Sequence, residues 1–74
     1  MARRPTWKKL ESSNLNKVWY DRKRKILHVV FHSGHYYVYG NVSYYRYWML
    51  RQADSKGRYF VKHIRNKYKY RRIQ

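Results

Sequence analysis

The 74-residue chain contains no cysteine, one proline, three glycines and only three acidic residues. Without cysteine there is no disulfide, no thiolate metal site and no cysteine nucleophile, a composition that fits a reducing cytosol. No apolar run approaches the roughly 18 residues that a membrane-spanning helix needs. The stretch from Met1 to Lys9 has bases but no apolar segment behind them, so no signal peptide is expected. The expectation is a cytoplasmic protein with no membrane partner. The acids Glu11, Asp21 and Asp54 lie far apart and two fall in turns, so no pair suggests general acid–base work. His28 and His32 share a strand face, but at about 3.3 Å per residue they stand roughly 13 Å apart. His32 and His35 flank a turn, and two histidines without a third ligand make a poor zinc site. No catalytic residue, metal or cofactor is assigned, and a non-enzymatic protein is expected.

What is abundant is positive charge and aromatic surface. Nineteen Lys and Arg against three acids leave a formal net charge of +16. Self-repulsion of that size opposes compaction, and an anionic partner relieves it. Nucleic acid is the default partner of so basic a small chain. Ten Tyr, three Trp and two Phe are too many for a disordered basic tail. These rings bring large apolar area, and Tyr and Trp add a polar tip. One small domain follows, with an aromatic core and a basic coat. A chain of this length buries only roughly 60% of the surface its unfolded form exposes, so its stability is small.

The charge is unevenly spread. Nine bases lie in residues 1–25, none in 26–45 and ten in 46–74. The bare stretch from Ile26 to Gly40 is rich in β-branched and aromatic residues, and Ser33-Gly34 interrupts it as a hairpin turn would. A preceding strand is expected at Leu15 to Tyr20, joined through a basic turn at Asp21-Arg22-Lys23-Arg24. A two-residue turn at Ser33-Gly34 would pair Phe31 with Tyr36 and separate Phe31 from Tyr37 and Tyr39. A three-residue loop, with Gly34 in the left-handed conformation, pairs Phe31 with His35. It gathers Leu27, Val29, Phe31, Tyr37 and Tyr39 on one face. The second register is preferred, because it collects the apolar residues more completely. It makes Tyr37 and Tyr39 core residues and leaves His28, Val30, His32, Tyr36 and Val38 on the open face.

Ser43 is placed to cap a helix from Tyr44 to Ala53, with Tyr47, Leu50 and Ala53 facing the sheet. Tyr44, Tyr45 and Trp48 cannot all fit there, so some aromatic surface stays exposed. A second helix is expected from near Arg58. Arg58, Lys62, Arg65, Lys69 and Arg72 fall within an arc of roughly 80° at about 100° per residue. Phe60, Val61, Ile64 and Tyr68 fall on the other side. An ordinary solvated face mixes charge signs, whereas this one has only cations. The stripe therefore reads as a binding face. The expected fold class is α+β: a three-stranded antiparallel meander followed by two helices packed on one face. A basic N-terminal arm (1–11) and a basic C-terminal tail (71–74) flank a domain at 12–70.

Several residues in this order resemble a known family. They are Ser13-Asn14-Leu15, Tyr20-Asp21, Leu27-x-Val29-x-Phe31-x-x-Gly34-x-x-Tyr37-x-Tyr39, Val42, Leu50, Ala53-x-Ser55-x-Gly57-x-Tyr59-Phe60, Ile64 and Tyr68. The pattern looks like the KTSC domain, named for its occurrence at the C-terminus of some lysyl-tRNA synthetases. The resemblance covers about residues 12–70. It implies a three-stranded meander with two helices and, through the synthetase context, RNA binding. Ser43 stands where the family usually has proline, and the cationic excess is a feature of this chain rather than of the family. A second likeness is rejected. Lys56 to His63 partly matches the signature strand of an RRM, but base-stacking aromatics are missing at Arg58 and His63. The element order also disagrees with that fold.

The leading expectation is thus a nucleic-acid-binding module, with RNA favoured over DNA. Arg58, Lys62, Arg65, Lys69, Arg71 and Arg72 would meet phosphates. Arg3, Arg4, Lys8 and Lys9 on the N-terminal arm, and Arg22, Lys23 and Arg24 on the first turn, would extend the footprint. Trp7, Tyr36 and Tyr70 are the candidate stacking rings, because cations alternating with aromatics suit unpaired bases. The alternatives are a protein-interaction module, of the kind a phage encodes, docking on an acidic protein, or a stoichiometric component of a ribosome-like particle.

Overall fold

The structure, a computed structural model, describes residues 5–74. The expected meander is its centre. β2 (Leu15–Asp21), β3 (Ile26–Phe31) and β4 (Tyr36–Tyr39) are antiparallel neighbours. Asp21 closes the first turn by accepting hydrogen bonds from the Lys23 and Arg24 backbone N–H groups, each at 3.1 Å. Val29 faces Tyr37 and Leu27 faces Tyr39 across the second hairpin. The Phe31 N–H donates to the His35 carbonyl at 2.9 Å, and Gly34 has φ +95°. This is the three-residue loop, and only glycine adopts that φ without strain.

The sheet has five strands rather than three, in the order β1-β2-β3-β4-β5. Lys8–Lys9 form the short edge strand β1 against β2, and Tyr70–Arg72 form β5 against β4. Both segments had been expected outside the sheet. They pair because the outer edges of β2 and β4 would otherwise present unpaired backbone groups. Arg3 and Arg4 lie outside the described residues.

The helices fall between β4 and β5 in the chain. α1 runs Tyr44–Gln52, with the Ser43 hydroxyl accepting from the Arg46 N–H. α2 runs Lys56–Phe60, is capped by Ser55, and continues as a π-helical turn over Val61–Arg65. The second helix therefore ends at Arg65 and does not reach Arg72. Lys69 and Arg72 leave the cationic stripe, and only Arg58, Lys62 and Arg65 remain on the helical segment. Like charges one turn apart weaken a continued helix. From Tyr68 the residues alternate Tyr-Lys-Tyr-Arg, a period of two that suits a strand. Tyr70 gains a place beside the Tyr37 and Tyr39 rings, at 5.7 and 5.9 Å.

The core lies between one sheet face and the helices. Leu15, Val18, Leu27, Val29, Val42, Leu50 and Ile64 are fully buried. Tyr47 of α1 stacks on Tyr20 at 4.9 Å, and Phe60 of α2 meets Phe31 and Tyr39 edge-on. Tyr37 packs against this core, as the register predicts. Tyr44, Tyr45 and Trp48 remain exposed on the outside of α1. No helix of the described residues is long and apolar enough to cross a membrane.

Candidate nucleic-acid interface

Strand alternation turns half of each strand away from the helices. In β2, Val18 and Tyr20 point into the core, so Lys17 and Trp19 point outward. Register then fixes their neighbours. Trp19 faces His28, His28 faces Val38, and Val38 faces Arg71 in one row across the sheet. Lys9, Lys17, Val30 and Tyr36 form the next row. Trp7, one residue before β1, folds over the same surface.

The rings touch. Trp19 and His28 centroids are 4.2 Å apart, Trp7 and Tyr36 are 5.6 Å apart in an edge-on arrangement, and Trp7 and Trp19 are 6.4 Å apart. The Lys17 ammonium sits 4.8 Å above the Trp7 ring. His28 Nδ1 and the Tyr36 hydroxyl are hydrogen-bonded at 2.7 Å, in a direction set by the His28 tautomer. All four rings are half-buried. Trp19 and His28 cover one face of each other and Lys17 covers one face of Trp7, while the rest of each half-buried ring meets solvent. Three cations, Lys9, Lys17 and Arg71, border this aromatic platform, and Arg71 and Lys9 are exposed. Asp21 is buried in its turn and carries the one ion pair among the described residues, with Arg24 at 3.4 Å.

The model of one family, the KTSC domain, matches residues 11–68. The chain belongs to the KTSC domain family. A solved structure of a KTSC domain protein from Yersinia pestis superposes with a TM-score of 0.89 at 28% identity, covering 93% of this chain and 97% of that one. No curated protein sequence matches the chain significantly.

On this KTSC domain the sequence-derived candidates divide among several surfaces. Trp7, Tyr36, Lys9 and Arg71 meet on the platform. Tyr70 and Arg72 lie on the opposite side of the sheet, Arg72 paired with Tyr37 and Tyr70 with Tyr39. Lys8 pairs with Val18 and so also belongs to that side. Arg22, Lys23 and Arg24 project, exposed, from the β2–β3 turn, where Arg22 stacks on the Tyr44 ring at 4.5 Å. Arg58, Lys62 and Arg65 are exposed on the helical segment, and Lys69 is exposed just before β5. Trp19, His28 and Lys17 complete the platform but were not among the candidates. The signal for them was present in the alternation Lys17-Val18-Trp19-Tyr20, whose outward members are a cation and an aromatic.

Burial lowers the His28 pKa below its ordinary value, with Asp21 opposing weakly. Around pH 6.5 the folded protein therefore binds fewer protons at this site than the unfolded chain does. Its contribution to stability is full above that pH and is lost as pH falls through the lower, folded-state value. The melting temperature should drop between pH 7.5 and 5.5, and the drop should be smaller in His28→Gln. Equal drops in both proteins, followed by circular dichroism, would show that His28 is not the responsible group.

Proposed function

We propose that this KTSC domain is a non-enzymatic nucleic-acid-binding module whose principal contact surface is the open face of its sheet, and that its natural ligand is single-stranded RNA. The observation that carries this reading is the Trp7–Trp19–His28–Tyr36 platform bordered by Lys9, Lys17 and Arg71. Unpaired bases stack on exposed ring faces whatever their identity, and flanking cations take the phosphates between them. A duplex hides its base faces and would leave the rings unused. The synthetase association implied by the family resemblance also favours RNA over DNA.

The test is fluorescence anisotropy with a labelled single-stranded oligonucleotide. Base stacking is worth about 1–3 kcal/mol per ring, so Trp19→Ala and Tyr36→Ala should each lower affinity roughly 5- to 150-fold. Arg58→Gln, on the helical side, should change it far less. Circular dichroism verifies that the variants fold. Unchanged affinity in both folded platform variants would refute the proposal.

A second reading has its own support. Tyr44, Tyr45 and Trp48 form an exposed aromatic patch on α1 beside Arg22. Aromatics and Arg are the usual anchors of protein interfaces, and an acidic protein would suit the charge. Trp48→Ala discriminates, since it should leave RNA affinity intact and weaken a protein partner.

A further inference from the structure

On the opposite side of the sheet a groove of about 510 Å³ runs between the β3–β4 hairpin with β5 and the α2–π segment. Its size falls within the range of small-ligand sites. Phe31, Tyr37, Tyr39 and Tyr70 supply aromatic surface, and the exposed Arg65 and Asn66 also line it. Phe31 and Tyr37 meet edge-on at 5.8 Å, and Tyr70, at the sheet edge, is 61% exposed. Tyr37 and Tyr70 adjoin each other at 5.7 Å, so a ring lying across them would meet one fixed and one adjustable surface. Burial pushes the Tyr39 hydroxyl up to about 12, so it stays neutral and adds no negative charge. No Asp or Glu lines the groove, and the Arg65 guanidinium makes no ion pair among the described residues.

A half-open groove with an aromatic side (Phe31, Tyr37, Tyr39, Tyr70), polar groups from Asn14, His32 and His35, and one unopposed guanidinium suits a planar aromatic molecule that carries polar edges and an anion. The amide of Asn66 adds a paired donor and acceptor of the kind that reads base edges. We propose that this groove holds one nucleotide, its base against Tyr37 and Tyr70 and its phosphate on Arg65. The same chemistry has two sources: a free mononucleotide, or one nucleotide splayed out of an RNA bound on the platform. β5 connects the two sites, because Arg71 lies on the platform side and Arg72 on the groove side. A strand crossing that edge meets a cation on each face. Only the second source rests on the RNA-binding reading.

The experiment uses the full chain, ¹⁵N-labelled, titrated with adenosine 5′-monophosphate. Amide signals of Tyr37, Arg65, Asn66 and Tyr70 should move, and those of Trp19 and His28 should not. Adenosine, which lacks the phosphate, should bind at least about tenfold more weakly, as should the nucleotide to Arg65→Gln, because a charge-assisted contact is lost in each case. The adenosine comparison needs no variant, so it holds even if Arg65→Gln folds poorly. A second arm photocrosslinks a single-stranded RNA containing 4-thiouridine. Crosslinks at Tyr37 or Tyr70 that disappear in Trp19→Ala identify the polymer as the source, whereas nucleotide binding without them identifies the free nucleotide. Equal affinity for adenosine and its monophosphate overturns the proposal. So does the absence of both groove shifts and groove crosslinks. Should Trp19→Ala retain RNA affinity, the platform reading fails while the nucleotide titration still decides the groove.

Discussion

Raising salt from 50 to 200 mM is expected to weaken the binding of a single-stranded RNA roughly 300- to 15,000-fold, if six to ten phosphates are contacted. Each phosphate contact on a single strand contributes about −0.7 to the slope of log affinity against log salt. A fourfold rise in salt acting on slopes of about −4 to −7 produces that range. The count of contacts comes from the surface. Lys9, Lys17 and Arg71 border the platform, Arg22, Lys23 and Arg24 project from the adjacent turn, and Lys8, Lys69 and Arg72 lie along the sheet edges. All but Lys17 are exposed, and among the described residues only Arg24 has an acidic partner. Apart from Arg24, they have counterions to release and no internal ion pair to break. Isothermal titrations or anisotropy at four salt concentrations measure the slope. A slope shallower than about −2 would mean that the cations do not meet phosphates. Duplex DNA should respond more steeply per contact but lose the stacking term, so comparison of the two ligands separates charge from rings.

Leu27→Ala is expected to destabilise the fold by about 2–5 kcal/mol. Leu27 is fully buried in β3, with Tyr20 and Tyr39 as its neighbours in register on either side. Tyr20 is stacked on Tyr47 and hydrogen-bonded to the Val42 carbonyl, and Tyr39 is held edge-on by Phe60. Neither ring is free to collapse into the space that the leucine leaves, which places the cost toward the upper end. Domains hold roughly 0.05–0.15 kcal/mol of stability per residue, or about 4–11 kcal/mol for a chain of this length. The net charge of +16 works against even that margin. Leu27→Ala should therefore be substantially unfolded at 37 °C, and urea denaturation measures the loss. Added RNA should restore part of it, because a ligand that binds only the folded state stabilises it by mass action. A loss below about 1 kcal/mol would show that the site is not tightly enclosed.

Much of this protein was legible before folding was considered. Ser43 as a helix cap, Gly34 as a left-handed loop residue, and the gathering of Leu27, Val29, Phe31, Tyr37 and Tyr39 on one face all depend on contacts within a few residues or on a period of two. The exposed aromatics of α1 followed from the same logic, since one helix face cannot bury six large side chains in nine positions. The segment after Arg65 was harder. Its cations fit a helical period and its tyrosines fit a strand period, and both patterns cover the same residues. A free edge on β4 settled the competition, and no local signal announces that edge.

The chain's order of residues alone determined its charge, the central hairpin register and the core faces. These are sums over composition or consequences of short-range geometry. Only the tertiary structure decided that Lys8–Lys9 and Tyr70–Arg72 complete the sheet, that Trp7, Trp19, His28 and Tyr36 meet, and that Tyr70 and Arg65 share a groove. Each of those joins segments distant in the chain. Such pairs are chosen by which backbone edges and ring faces remain unsatisfied once the centre has formed, a choice that belongs to the whole fold.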